Sequence, residues 1–209
     1  MSALGANRSI GGLEQAQGFA ENPSADDPES TSMTALIDRI VNVHHAHLRK
    51  ELPRLLKLAD RVAEVHGPHD PALGELREVL AVLKDDLESH MIKEEWCVFP
   101  KIMRWEAARS TGLCPDEGDG SFRSLEIDHR DASATLARLR KLTNGFTAKA
   151  DACAMYRVLL EGLAELEAEL LQHVYEENDL LFPRACVAAA LLRARAAIGG
   201  PLFQYRETW

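Results

Sequence analysis

No run of apolar residues approaches the roughly 20 that a membrane-spanning helix needs, and no basic stretch leads into an apolar core near residue 1. These absences exclude a membrane partner and a secretory signal. Positive charge is also short, with 24 Lys and Arg against 33 Asp and Glu and a net charge of −9. Nucleic acid and anionic membrane surfaces both demand a basic face, so neither is expected as a partner. Cysteine is scarce and scattered: Cys97, Cys114, Cys153 and Cys186 form no CxxC pair. They read as reduced thiols of a cytoplasmic protein rather than a disulfide framework. No stretch carries the alternation of a β-strand.

What remains is helical. The 209 residues, 46% hydrophobic and 27% charged, suit one ordinary globular domain. Residues 1–33 are rich in Gly, Ser, Ala, Asn, Asp and Pro and read as a disordered leader. Four long periodic segments follow, over about 34–66, 72–106, 122–143 and 151–198, before a tail at 199–209. The first carries Val41, His45, Leu48, Leu52, Leu55, Ala59, Val62 and His66 in its inward register. The second carries Leu73, Leu76, Leu80, Leu83, Leu87, His90, Glu94 and Cys97, and the third Leu125, His129, Ala132, Leu136 and Leu139. In the fourth they are Ala152, Leu159, Leu163, Leu166, Leu170, His173, Glu177 and Leu180. Gly67-Pro68, the loop from Ser110 to Ser121 and Asn144-Gly145 break the segments, while Pro53 and Pro100 predict local kinks. The pattern predicts an all-α, up-down-up-down four-helix bundle over residues 34–198.

Two of the segments repeat one chemical step. His90-Met-Ile-Lys-Glu94 and His173-Val-Tyr-Glu-Glu177 both read His-x-x-x-Glu on the buried face. A spacing of four puts imidazole and carboxylate on one side of a helix, and that donor mix binds iron, manganese or zinc. A single histidine on an apolar face is usually a core residue with one hydrogen bond. Here each of four helices has one, and two bring a Glu, which is almost never buried alone.

Their heights agree. Measured from one end of an antiparallel bundle at about 1.5 Å per residue, His45, His90, His129 and His173 all fall roughly 23 to 33 Å away. His66 lies about 31 Å from His45 along the helix and is left out of the ligand set. Four imidazoles and two carboxylates exceed one tetrahedral zinc. They suit two ions bridged by Glu94 and Glu177. His44 and His47 read as surface or rim residues, Lys93 and Glu95 as solvated, and Cys97 as a core thiol.

At these residues the chain resembles the repair-of-iron-centres proteins, a hemerythrin-like di-iron family. The match runs over about residues 34–187. It rests on His45-Ala-His-Leu-Arg-Lys-Glu-Leu-Pro53, Ser89-His-Met-Ile-Lys-Glu-Glu-Trp-Cys-Val-Phe-Pro100, Glu126-Ile-Asp-His129 and His173-Val-Tyr-Glu-Glu-Asn-Asp-Leu-Leu-Phe-Pro-Arg-Ala185. The resemblance implies that His45, His90, Glu94, His129, His173 and Glu177 hold two iron ions joined by an oxo or hydroxo bridge. The ligand types alone allow manganese as well. His66 also matches a histidine of that family, with its role left open. The expected member lacks the N-terminal cysteine-bearing domain usual there. Asp86 and Asp128 stand where the family has Glu, and either could orient an imidazole. A plain oxygen-carrying hemerythrin fits less well, because Ser133 occupies the place of a fifth histidine. Ferritin-type sites fit worse, since their motif runs Glu-x-x-His.

The resemblance implies repair of iron-sulfur or other iron centres after nitrosative or oxidative damage, with iron-sulfur proteins as iron acceptors. Its rivals are a carrier or sensor of O2 or NO, a nitric oxide or peroxide reductase, and a bundle that binds no metal. A monomer and a homodimer are both compatible with the sequence.

Overall fold

The computed structural model describes residues 31–111 and 121–198. The expected leader lies outside them up to residue 30, as do most of the loop between Ser110 and Ser121 and the tail at 199–209. Among the described residues every element is helical, and the elements join end to end into four rods. The first rod is α1 (Met33–Arg39), a π-helical turn (Ile40–His45) and α2 (Ala46–His66). The second is α3 (Ala72–Lys93), a π turn (Glu94–Val98) and α4 (Phe99–Thr111). The third is α5 (Ser121–Leu142), without interruption. The fourth is α6 (Ala154–Tyr175), a π turn (Glu176–Leu181) and α7 (Phe182–Ile198). The rods run up, down, up and down; α2 packs on α3 and α6, α3 on α5, and α4 on α1 and α7.

Local chemistry explains the ends. The first N–H groups of a helix have no internal acceptor. In α1 the Ser32 hydroxyl accepts from Ala35 N–H, and the Ser32 carbonyl from Leu36 N–H. Glu106, reaching across from α4, accepts the Met33 and Thr34 N–H groups at 2.7 and 2.8 Å and the Thr34 hydroxyl at 2.6 Å. The far end of α5 stops as expected: Asn144, Gly145 and Phe146 all have positive φ, and Gly145 N–H returns to the Arg140 carbonyl at 2.7 Å. Close contact between α2 and α6 relies on Gly162, where a Cβ would stand 2.5 Å from Leu55 Cδ2.

The apolar interior has two parts. Leu48, Leu52, Leu55, Leu80, Leu83, Leu163 and Leu166 belong to one cluster, and Met33, Ile40, Phe99, Ile102, Trp105, Phe122 and Phe182 to the other. Along each rod the buried histidines fall between the two clusters. A polar layer therefore crosses the bundle between two blocks of hydrocarbon.

The π turns correct the expected register. Cys97 is exposed rather than a core thiol, and Val41 and Leu180 are only half-buried. Ile40, Val98 and Leu181 point inward instead. A π turn closes its hydrogen bonds over five residues and so takes up one extra residue. Beyond each of the second and third turns the inward face moves on by one, which buries the neighbours Val98-Phe99 and Leu181-Phe182 together. Proline explains the position of those turns. Pro100 and Pro183, each the second residue after its turn, have no N–H and would press their rings on the carbonyl four residues back in a regular α-helix. A widened turn relieves this. Pro53, in contrast, lies within α2 without ending it.

No helix among the described residues is long and apolar enough to cross a membrane.

Candidate metal centre

The layer between the two cores brings together all six residues singled out by sequence. His45 comes from the π turn before α2, His90 from α3, His129 from α5 and His173 from α6. Glu94 and Glu177 lie in the second and third π turns. All six are buried, none above 4% exposed. Ring centroids of His90 and His129 are 4.6 Å apart, and those of His45 and His173 5.0 Å.

The ligand atoms form two overlapping sets. His45, Glu94, His173 and Glu177 can hold one ion, and His90, Glu94, His129 and Glu177 another. Both carboxylates belong to both sets. Glu94 Oε2 is 3.3 Å from His45 Nε2 and 3.3 Å from His90 Nε2, so it faces one imidazole of each set. Glu177 does the same, with Oε1 2.8 Å from His173 Nε2 and Oε2 3.0 Å from His129 Nε2. The Nε2 atoms of His90 and His129 approach to 2.9 Å.

The donor set fits a pair of cations. Both Glu94 oxygens, Glu177 Oε2 and His45 Nε2 are buried without a hydrogen-bond partner. Polar atoms left so in a packed interior are costly, and these converge on one small space. Nitrogen and oxygen donors without sulfur suit iron or manganese better than structural zinc.

Electrostatics bind the cluster tightly. Burial alone would lower the His45 pKa, but Glu177, Glu94 and Glu95 raise it to about 10. Burial likewise opposes the charged form of His90, yet Glu94, Glu177 and Asp128 raise its pKa. Burial would raise the Glu177 carboxyl; His173, His129 and His45 instead hold it well below the usual carboxylate range. A cation entering this layer takes over the work of those protons.

The outward ring nitrogens show what sequence reasoning missed. His45 Nδ1 meets Glu95 Oε1 at 2.6 Å, and Arg49 holds that same oxygen at 2.8 Å. Glu95, expected to be solvated, is thus drawn inward onto a proposed ligand. His90 Nδ1 faces Asp128 Oδ2 at 3.4 Å, with Lys93 on the same oxygen at 2.8 Å. Asp128 does orient an imidazole, but that of His90 across the helix pair rather than its neighbour His129. His129 Nδ1 pairs with Asn178 Oδ1 at 3.1 Å. Asp86 is exposed.

His44 departs furthest from expectation, being buried at 4% exposure rather than at the rim. Its ring stacks on His173 at 5.5 Å with 8° between planes, and its Nδ1 meets Glu169 at 2.7 Å. Its Nε2 is 3.3 Å from Glu176, which Arg39 holds at 2.8 Å. A regular α-helix turns about 100° per residue and rarely buries adjacent polar residues on one face. The π turns allow His44 beside His45 and Glu176 beside Glu177. For Glu176 the available signal was a pair of adjacent carboxylates shortly before a Phe-Pro step; no such step follows His44 and His45. His47 is half-buried, and Lys93 is exposed as expected.

Two rings roof the layer: Phe99 stacks on His45 at 5.8 Å and Phe182 on His129 at 6.2 Å. On the flank, a cleft of about 140 Å³ between α3 and α5 is lined by His90, His129, Asp86, Lys93 and Asp128. His66 takes no part in the cluster; its Nε2 contacts Cys153 at the far end of the bundle.

Comparison with known proteins gives a consistent result. The hemerythrin HHE cation binding domain matches residues 36–185. An iron-sulfur cluster repair protein YtfE of Edwardsiella ictaluri (strain 93-146) is 38% identical over 171 residues, covering 80% of this chain and 74% of that protein. Proteins of the same name from Musicola paradisiaca (strain Ech703) and Escherichia coli O157:H7 are 34% and 32% identical. They align with 79% and 80% of this chain, and with 71% and 72% of their own lengths.

Proposed function

The chain belongs to the hemerythrin HHE cation binding family, and on that premise we propose that it is a non-haem di-iron protein that repairs iron-sulfur centres damaged by nitrosative or oxidative stress, donating iron to them. In this reading His45 and His173 hold one iron, His90 and His129 hold the other, and Glu94 and Glu177 bridge the two. The carrying observation is that the two four-residue sets share both buried carboxylates. Iron is chosen over manganese because the similar proteins bear the name of iron-sulfur cluster repair. Thiols not joined in disulfides at Cys97 and Cys153 support a cytoplasmic setting.

When bound, the iron pair supplies exchangeable metal and coordination positions for a small molecule. The protein's own groups do the holding. Glu95, Asp128 and Asn178 fix the rotation of three imidazoles, and Phe99 and Phe182 keep water from the roof of the layer. The cleft at His90 and His129 gives a lateral path to the proposed ligands. That cleft also favours a second reading, in which the reduced centre binds or reduces O2 or NO.

The test is transfer. The iron-loaded chain, carrying about two irons with the visible absorption of an oxidised pair, is mixed with an apo iron-sulfur protein and a sulfide source. Iron leaving the chain and a cluster forming on the acceptor support repair by donation. Retention of both irons while the acceptor gains none sinks it. Gas uptake under reducing conditions then decides for the second reading.

A further inference from the structure

At the opposite end of the bundle a second reactive group is assembled. His66 ends α2 and Cys153 caps the start of α6. Cys153 Sγ accepts the Tyr156 N–H at 3.4 Å and lies 3.1 Å from His66 Nε2. A helix cap alone would be better served by Ser or Thr, whose oxygens accept hydrogen bonds more strongly than sulfur. A cysteine in that place brings a nucleophile, and the imidazole beside it brings a base. Nucleophile and base within hydrogen-bond reach are the basic parts of covalent chemistry.

Space for a reactant is present. The pair opens on a cleft of about 270 Å³, also lined by His69, Asp70, Lys149 and Asp151. Cationic and anionic groups on one small wall suit a zwitterionic partner over an apolar one. Along α2 the pair lies roughly 30 Å from the ligand layer, so its chemistry is separate from that of the metal.

We propose that Cys153 and His66 form a thiol-disulfide exchange site for a small zwitterionic disulfide. His66 Nε2 takes the thiol proton as Cys153 Sγ attacks one sulfur of R–S–S–R. The disulfide bond breaks, Cys153–S–S–R forms, and the departing R–S⁻ takes the proton from His66 and leaves as R–SH. No further oxidant is needed, and a second thiol reverses the step.

Glutathione disulfide is the probe, used on the full chain with iron bound, and adducts are located by peptide mass mapping over time. Cys97 is the internal reference, because it is the more exposed thiol. The expected result is one adduct at Cys153, forming roughly 10-fold or more faster than at Cys97. His66→Gln should bring the Cys153 rate down to that of Cys97 with iron content unchanged. Cys153→Ser should keep the helix cap and lose the fast adduct. A first adduct at Cys97 or Cys186 overturns the proposal. So does a Cys153 rate that His66→Gln leaves as it was. The rate ratio within the unaltered protein decides even if a variant folds poorly.

Discussion

Removing the Glu95 carboxylate leaves every proposed ligand in place but takes away the 2.6 Å contact to His45 Nδ1. A hydrogen bond to a charged group contributes about 1.5–3 kcal/mol. Glu95 is 23% exposed on its side chain and shared with Arg49, which places it toward the lower part of that range, about 1.5–2 kcal/mol. At about 1.4 kcal/mol per tenfold, Glu95→Ala should weaken one metal position by roughly 10–30-fold, within the usual effect of groups that orient a metal-binding imidazole. Only the ion of His45 and His173 should respond. Chelator titration of the loaded protein, followed by iron per chain, should then show two steps, with one iron leaving at lower chelator and the other as before. Asn178→Ala removes a neutral contact of 3.1 Å to His129 and should loosen the other ion by less, about 0.5–1.5 kcal/mol. Both irons leaving Glu95→Ala together at the unaltered concentration would refute the assignment of paired imidazoles. Loosening of the wrong ion would do so equally.

Two further tests concern the fold. Burial pulls the Glu106 pKa up, but the donors of Thr34 and Met33 bring it below the ordinary 4.5. A depressed carboxyl stabilises the fold above its unfolded value, and the benefit is lost as pH falls through the folded one. Glu106→Gln should therefore lower the melting temperature at pH 7, by an amount corresponding to about 1 kcal/mol, and the gap should close below pH 4.5. A gap of constant size from pH 7 to pH 3 would contradict the capping role. The π-turn register is checked by neighbours: Cys97→Ser should change stability by under about 0.5 kcal/mol, while Phe99→Ala should cost about 3–5 kcal/mol. Denaturant unfolding that finds Cys97 the costlier of the two would restore the unbroken helix.

The rods and the polar layer were legible because they depend on repetition. Heptad-like spacing such as Leu48, Leu52, Leu55, Ala59 survives small errors in helix ends, and four histidines at one height need only the rise per residue. Direction around the helix was less secure. One added residue in a π turn moved Cys97 out and Val98 in, and nothing in the apolar spacing announces it. The Phe-Pro steps at 99–100 and 182–183 were visible and Pro100 reads as a kink, whereas the chain meets the steric demand of both prolines with a wider turn. His44, Glu176 and Glu95 escaped for the same reason, since each adjoins a proposed ligand that an ordinary helix would make the sole inward residue. Asp128 was singled out, but its partner lay on another rod, which a one-dimensional reading could not supply.

The division of the interior into two apolar blocks also determines how charge can travel. Above and below the layer, leucine and phenylalanine fill the bundle; on the Leu48 to Val62 side this amounts to ~20 Å of hydrocarbon. A medium of such low polarisability insulates along the axis. Sideways the distance is one side chain: Arg49 reaches His45 through Glu95, Lys93 reaches His90 through Asp128, and Arg39 reaches His44 through Glu176. Ions, protons or electrons exchanged with the layer must cross the girth of the molecule, and a protein that trades them has to lie along its flank rather than on either end.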